Sequence, residues 1–301
     1  MSEQYALLKQ KFTGTGVAIV TPFLTDNSID YPGFAKVINH IINGGAEYLV
    51  VLGTTGESAT IHGAEKQEVF HFVRETAAGR CALMAGIGSY DTQMVLDSFK
   101  QFDLNGYDAI LTVSPYYNKP TQEGIFQHYK AVSEQAPLPV MMYNVPGRTG
   151  QNVTAETQLR IARDCKNIFA TKEASGNLEQ VTQILKHKPE HFMVVSGDDG
   201  ITLPMIACGA EGVVSVVANA YPRSFSNMVR QCLSNQYETA RATHLQLAEI
   251  ITALFAEGSP GGIKAVLNEM GLCGVHSRLP VVPVSAAHRE KIKSLMAATP
   301  V

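Results

Sequence analysis

The stretch Asn167-Ile168-Phe169-Ala170-Thr171-Lys172-Glu173-Ala174-Ser175-Gly176-Asn177 decides how the rest of the chain is organised. Its apolar half, Ile168 to Ala170, has strand character and leads to a lysine. Ser-Gly-Asn then turns the chain into a helix-patterned run. If that strand belongs to a closed parallel barrel, its C-terminal end faces the site. An amine held there among apolar walls loses its proton far more readily than a free lysine, whose pKa is about 10.4. Once neutral, it can attack a ketone. Taken alone, the stretch also fits a surface lysine that closes a strand.

Seven more apolar runs of the same kind surround this one. With Ile168–Lys172 the candidate strands are Gly16–Thr21, Tyr48–Leu52, Ala82–Gly86, Ala109–Val113, Val140–Asn144, Phe192–Ser196 and Gly212–Val217. Their starts fall 20 to 34 residues apart, room for a strand, a crossover helix and two loops. They are continuously apolar rather than alternating, as strands covered on both faces must be. Helical patterns fill the gaps: Gly33–Asn43, Ala64–Ala78, Thr92–Leu104, Gln122–Gln135, Thr154–Arg163, Leu178–His187, Ile201–Cys208 and Arg223–Asn235. Eight strand–helix alternations predict an α/β fold, a (β/α)8 TIM barrel over residues 1–235. Beyond it, 236–301 reads as a C-terminal helical region packed on the barrel, with helices over Tyr237–Ala256, Ile263–Met270 and Ser285–Met296 and an extended piece at Arg278–Val284.

Composition narrows the partners. The 301 residues are 45% hydrophobic and 17% charged with a net charge of −3, and Lys and Arg are scattered, which argues against nucleic acid or an anionic membrane. Five widely spaced cysteines without a Cys-x-x-Cys suggest buried thiols in a reducing compartment. The N-terminus, Met1 to Lys11, is polar and shows no export signal, and no 18 apolar residues run together, so a cytoplasmic protein acting on a small molecule is expected.

The loops after the strands are where such a barrel carries chemistry. Gly53-Thr54-Thr55-Gly56-Glu57-Ser58 brackets two hydroxyls with glycines, a turn suited to a small carboxylate. Ser114-Pro115-Tyr116-Tyr117-Asn118-Lys119-Pro120 and Tyr143-Asn144-Val145-Pro146-Gly147-Arg148 offer phenols that can pass protons and a guanidinium that fits a carboxylate. In Ser196-Gly197-Asp198-Asp199-Gly200 the adjacent carboxylates do not face one way, and Pro189 breaks the helix that would align His187 with His191, so no metal is expected. With no Gly-x-Gly-x-x-Gly and no phosphate loop, no nucleotide cofactor is expected either.

Together these five motifs resemble the pyruvate-dependent class I aldolase family, which includes the N-acetylneuraminate lyases, from Phe12 to about Arg289. The resemblance implies that Lys172 forms a Schiff base with pyruvate and that Tyr143 is the proton donor and acceptor beside it. It implies that Thr54 and Tyr117 complete a proton relay, Tyr117 arriving from a neighbouring subunit. Thr55, Val214 and Gly197 would then bind substrate, and Arg148 would take the carboxylate of L-aspartate 4-semialdehyde. The implied reaction joins that aldehyde to pyruvate in the diaminopimelate route to lysine, without metal or organic cofactor, in a homotetramer built as a dimer of dimers. A lyase of N-acetylneuraminate or a 2-keto-3-deoxy sugar acid aldolase is the alternative within the family, and a non-catalytic binding barrel the alternative outside it. Arg148 favours the semialdehyde, because the lyases usually lack an arginine there. Members inhibited by lysine carry two histidines, an asparagine and a glutamate where this chain has Gly63, Lys66, Tyr90 and Met94, while Ser58, Ala59 and Tyr116 are kept; weak or absent feedback inhibition is expected.

Overall fold

The computed structural model describes residues 3–299. Its frame is eight parallel strands hydrogen-bonded in chain order and closed by a β1–β8 pairing: β1 (Gly14–Ala18), β2 (Tyr48–Val51), β3 (Ala82–Gly86), β4 (Ala109–Val113), β5 (Val140–Asn144), β6 (Ile168–Glu173), β7 (Met193–Ser196) and β8 (Gly212–Ser215). The expected (β/α)8 barrel is thus the fold. β1 lies two residues upstream of its expected start and stops at Ala18. The reason is local: the Val20 N–H is taken by the Asn219 side chain (3.1 Å) rather than by a neighbouring strand.

The apolar residues divide between two cores. Outward-facing Val17, Leu49, Val51, Ile110, Met142, Val194 and Val213 meet the helices. Inward-facing Ala18, Tyr48, Val50, Met84, Leu111, Met141, Phe169, Met193, Val195 and Val214 fill the barrel. This double burial is why the strands read as unbroken apolar runs. Gly16 shows how tight the interior is. It pairs with Tyr48, whose ring would lie 2.1 Å from any Cβ at position 16.

Helix α1 (Glu3–Phe12) was not expected from the polar N-terminus. Its Tyr5, Leu8 and Phe12 follow one helical face into the inner core, where the Phe12 ring stands edge-on to Tyr48 (5.0 Å between centroids) and tilted against Phe169 (5.4 Å). The outer ring is α2 (Tyr31–Asn43), α3 (Gly63–Ala77), α4 (Thr92–Gln101), α5 (Gln122–Gln135), α7 (Ala155–Asp164), α8 (Leu178–His187), α9 (Thr202–Ala207) and α10 (Pro222–Leu233), with a single-turn α6 (Pro146–Thr149) after β5. Then come α11 (Tyr237–Phe255), α12 (Gly261–Glu269) and α13 (Ala286–Ala298); α11 lies along α10 and packs on α12 and α13.

Candidate active site

Strand β6 presents its last residues alternately. Ala170 and Lys172 face into the barrel, while Thr171 and Glu173 face the helices. There the Thr171 hydroxyl donates to Gln158 (2.8 Å) and the Glu173 carboxylate accepts from Asn144, Gln158 and Gln180. The turn that follows is capped by Asn177, whose side chain accepts from the Gln180 N–H and starts α8. Lys172 therefore sits at the C-terminal mouth because of the strand's period and the position of the turn.

Around its amine stand residues from four other strand ends. Tyr143 pairs with Lys172 across β5–β6, and Val195 pairs with it across β6–β7. The Lys172 Nζ lies 4.1 Å from the centroid of the Tyr143 ring. Gly197 packs on the lysine's stem: a Cβ there would come within 3.0 Å of Lys172 Cε and 2.7 Å of Ala174 Cβ. Val214 on β8 is buried in the same inner core. From the loop after β2, the exposed Thr54 brings its hydroxyl near enough to the Tyr143 phenol to favour the phenolate, and Thr55 is buried on the same short 3-10 turn.

The electrostatics follow from this packing. Burial lowers the pKa of Lys172 to about 7; the Asp199 carboxylate opposes the shift and the Arg148 guanidinium adds to it. Near neutral pH a large share of the amine is thus uncharged and nucleophilic. Burial pushes Tyr143 up to about 12, against the Arg148 charge and the nearby Thr54 hydroxyl, so the phenol stays protonated and can donate. Asp199, raised to about 6 by burial, holds the N–H groups of Val216 and Val217 on Oδ2 (3.0 and 2.8 Å). The sequence raised Asp198 and Asp199 only as rejected metal ligands. The structure separates them, Asp198 exposed and Asp199 buried within the field of Lys172.

Two expected residues stand apart. Arg148, exposed on α6, acts on both Lys172 and Tyr143 through its charge. Tyr117 does not join the cluster within one chain. It is 86% exposed on the β4 loop at φ 71°, and its ring neighbour is Tyr90, 6.4 Å between centroids.

The outer-face set Asn144, Gln158, Gln180 and Glu173 escaped the sequence analysis. The signal was Glu173 itself, a carboxylate inside a strand otherwise buried on both faces.

A buried amine that readily loses its proton, a protonated phenol, a hydroxyl beside it and a guanidinium at the rim are what Schiff-base chemistry on a keto acid requires. Comparison with known proteins agrees. A family model described as the dihydrodipicolinate synthetase family matches residues 11–299. A protein of Phocaeicola vulgatus named 4-hydroxy-tetrahydrodipicolinate synthase is 47% identical over 290 residues, 96% of this chain and 98% of that one. Among solved structures, dihydrodipicolinate synthase from Thermotoga maritima superposes with a TM-score of 0.93 at 38% identity, covering 96% of this chain and 99% of its own. The synthase of Cyanidioschyzon merolae with lysine bound gives 0.92 at 39% identity, covering 96% and 99%. The chain belongs to the dihydrodipicolinate synthetase family.

Proposed function

We infer that the chain is a Schiff-base-forming lyase with 4-hydroxy-tetrahydrodipicolinate synthase activity, condensing pyruvate with L-aspartate 4-semialdehyde in the diaminopimelate pathway. The observation that carries the mechanism is the Lys172 amine, buried against the Tyr143 ring with its pKa lowered to about 7. In this proposal the neutral amine adds to the pyruvate ketone. Tyr143 delivers the proton that lets water leave, and loss of a methyl proton turns the imine into an enamine. The enamine carbon attacks the aldehyde. Thr54 relays protons to and from Tyr143, Thr55, Val214 and Gly197 shape the pyruvate pocket, and Arg148 holds the semialdehyde's carboxylate. Arg148 is what favours this second substrate over the neutral polyol of a sugar-acid lyase.

Tyr117, projecting into solvent, completes the relay of a neighbouring copy, so the working form is a homo-oligomer, a tetramer arranged as a dimer of dimers. Among the described residues no helix is long and apolar enough to cross a membrane, and a cytoplasmic location fits. Feedback inhibition by lysine, the ligand held by the Cyanidioschyzon protein, is proposed to be weak here. An incoming ammonium would meet the Lys66 cation and the Met94 thioether rather than a carboxylate.

Intact-mass measurement after incubation with pyruvate and borohydride tests the reading, with peptide mapping of the modified residue. A single adduct on Lys172 is expected. An unmodified chain, or an adduct mapped elsewhere, overturns it. In the same preparation Arg148→Ala should keep the adduct and raise the KM for the semialdehyde by about 10- to 100-fold, as loss of a charge-assisted contact predicts.

A further inference from the structure

The turn that carries Thr54 and Thr55 is held from outside the barrel. Glu57 closes it in the left-handed region (φ 54°). Its N–H donates to the Thr54 carbonyl (3.1 Å), and its own carbonyl accepts from the N–H and hydroxyl of Thr60 (3.0 and 3.1 Å). On the other side the Thr21 hydroxyl donates to the Gly56 carbonyl (2.8 Å).

The Glu57 carboxylate turns into the protein. It forms an ion pair with Lys264 of α12, 207 residues away, and also accepts from the Ser277 hydroxyl (3.3 Å) and the Arg278 N–H (3.1 Å). Lys264 is fully buried. It donates to the His276 carbonyl (2.8 Å) and lies 4.6 Å from the centre of the Phe23 ring. Arg278 ties the same region further, donating to the Thr60 carbonyl (2.9 Å) and the Asn27 carbonyl (2.7 Å) and pairing with Glu65.

A buried ion pair adds little net stability, because stripping water from both charges offsets their attraction. What it does supply is a single satisfying arrangement. A Glu57 without its partner would have to carry its carboxylate to solvent, and the left-handed residue that closes the turn would swing with it. The hydroxyl of Thr54 would then leave the phenol.

We propose that Lys264 is a positioning residue for the condensation, keeping the Thr54 turn and its hydroxyl beside Tyr143 through Glu57. The proposal rests on the reaction assigned above. It makes the C-terminal helices part of the catalytic apparatus without bringing any of them to the substrate.

The test compares Lys264→Met with the charge-neutral pair Lys264→Met/Glu57→Gln, each with and without Thr54→Val, in steady-state kinetics, thermal melts and borohydride trapping with pyruvate. Lys264→Met should lower kcat about 10- to 100-fold, with the KM for pyruvate within about twofold and the adduct retained, the pattern of a displaced relay group. The double variant, which buries no lone charge, should regain the melting midpoint and not kcat. In the Thr54→Val background the same lysine change should cost less than about twofold, since the group it positions is gone. Recovery of kcat together with the midpoint overturns the proposal, as does an equal loss with and without the Thr54 hydroxyl. If Lys264→Met fails to fold, the charge-neutral pair carries both comparisons. A wild-type chain that traps no pyruvate overturns the assigned reaction. A wild-type chain that traps it, with variants turning over normally, overturns the positioning role alone.

Discussion

Lys172 and Glu173 are consecutive on β6, both ionisable and both buried, and the two faces of the strand treat them oppositely. On the outer face the Glu173 carboxylate is saturated. Asn144 (2.9 Å), Gln158 (2.6 Å) and Gln180 (3.1 Å) donate side-chain amides, and the Ser175 N–H adds a fourth donor (2.7 Å). On the inner face the Lys172 amine meets the π face of Tyr143, and its stem packs on Gly197 among apolar walls. The contrast teaches what separates a structural buried charge from a reactive one. The first is supplied with every partner it can use, and the second is denied them, so that losing its proton becomes easy.

The largest break in this comparison should come from Lys172→Met. Turnover should fall by at least about 10⁴-fold, as when an enzyme loses its nucleophile, and the trapped adduct should vanish. The melting midpoint should hold or rise, because a thioether in that pocket carries no desolvation cost. A clear drop in the midpoint would show that the amine helps to hold the fold. Glu173→Leu should do the reverse. It strands three amide donors in the helix–strand layer and should lower the unfolding free energy by about 3–5 kcal/mol in urea titrations, the cost of breaking a buried charged network. Protein that remains folded should still form the pyruvate adduct. If its adduct is lost while the fold persists, the outer face also tunes the lysine.

Gly197→Ala probes the inner wall directly. The new methyl would have to displace Lys172 Cε from 3.0 Å and Ala174 Cβ from 2.7 Å. Adduct formation should slow by about 10- to 100-fold with only a small change in midpoint, as an ångström-scale misplacement of the nucleophile implies. An unchanged rate would mean that the stem has room to spare and that the glycine serves the turn alone.

How far the sequence reveals this arrangement depends on distance along the chain. The barrel was legible because double burial makes every strand an apolar run, and Lys172 and Tyr143 were legible because each lies at the end of such a run; Gly197, just past one, stood out only through the family resemblance. Helix α1 was readable in principle. Tyr5, Leu8 and Phe12 keep helical spacing, but the polar residues between them outweigh it. The partners of Glu57 were not readable. A lysine in a helix is ordinarily exposed, and nothing local in Gly261–Glu269 says that Lys264 lies opposite a carboxylate 207 residues away. Tyr117 was expected to serve a neighbouring subunit rather than its own chain, and it stands 86% exposed. Its left-handed backbone at φ 71° is what a Tyr-Tyr-Asn loop does not announce.

The mildest perturbation leaves every atom in place and changes only the proton. With the amine's pKa at about 7, its neutral fraction rises from roughly one tenth at pH 6 to roughly nine tenths at pH 8, by the ordinary titration relation. Adduct formation at limiting pyruvate should therefore climb about tenfold over that range and then level off. An ordinary lysine would climb about a hundredfold and keep climbing, since its pKa of about 10.4 lies beyond it. Two neighbours allow the sign to be checked. The Asp199 carboxylate favours the ammonium, so Asp199→Asn should move the midpoint down; the Arg148 guanidinium disfavours it, so Arg148→Ala should move it up. Opposite displacements from two neighbours of opposite charge would tie the profile to Lys172. A common displacement would assign it to some other group, and the contrast between the two faces of β6 would lose its chemical meaning.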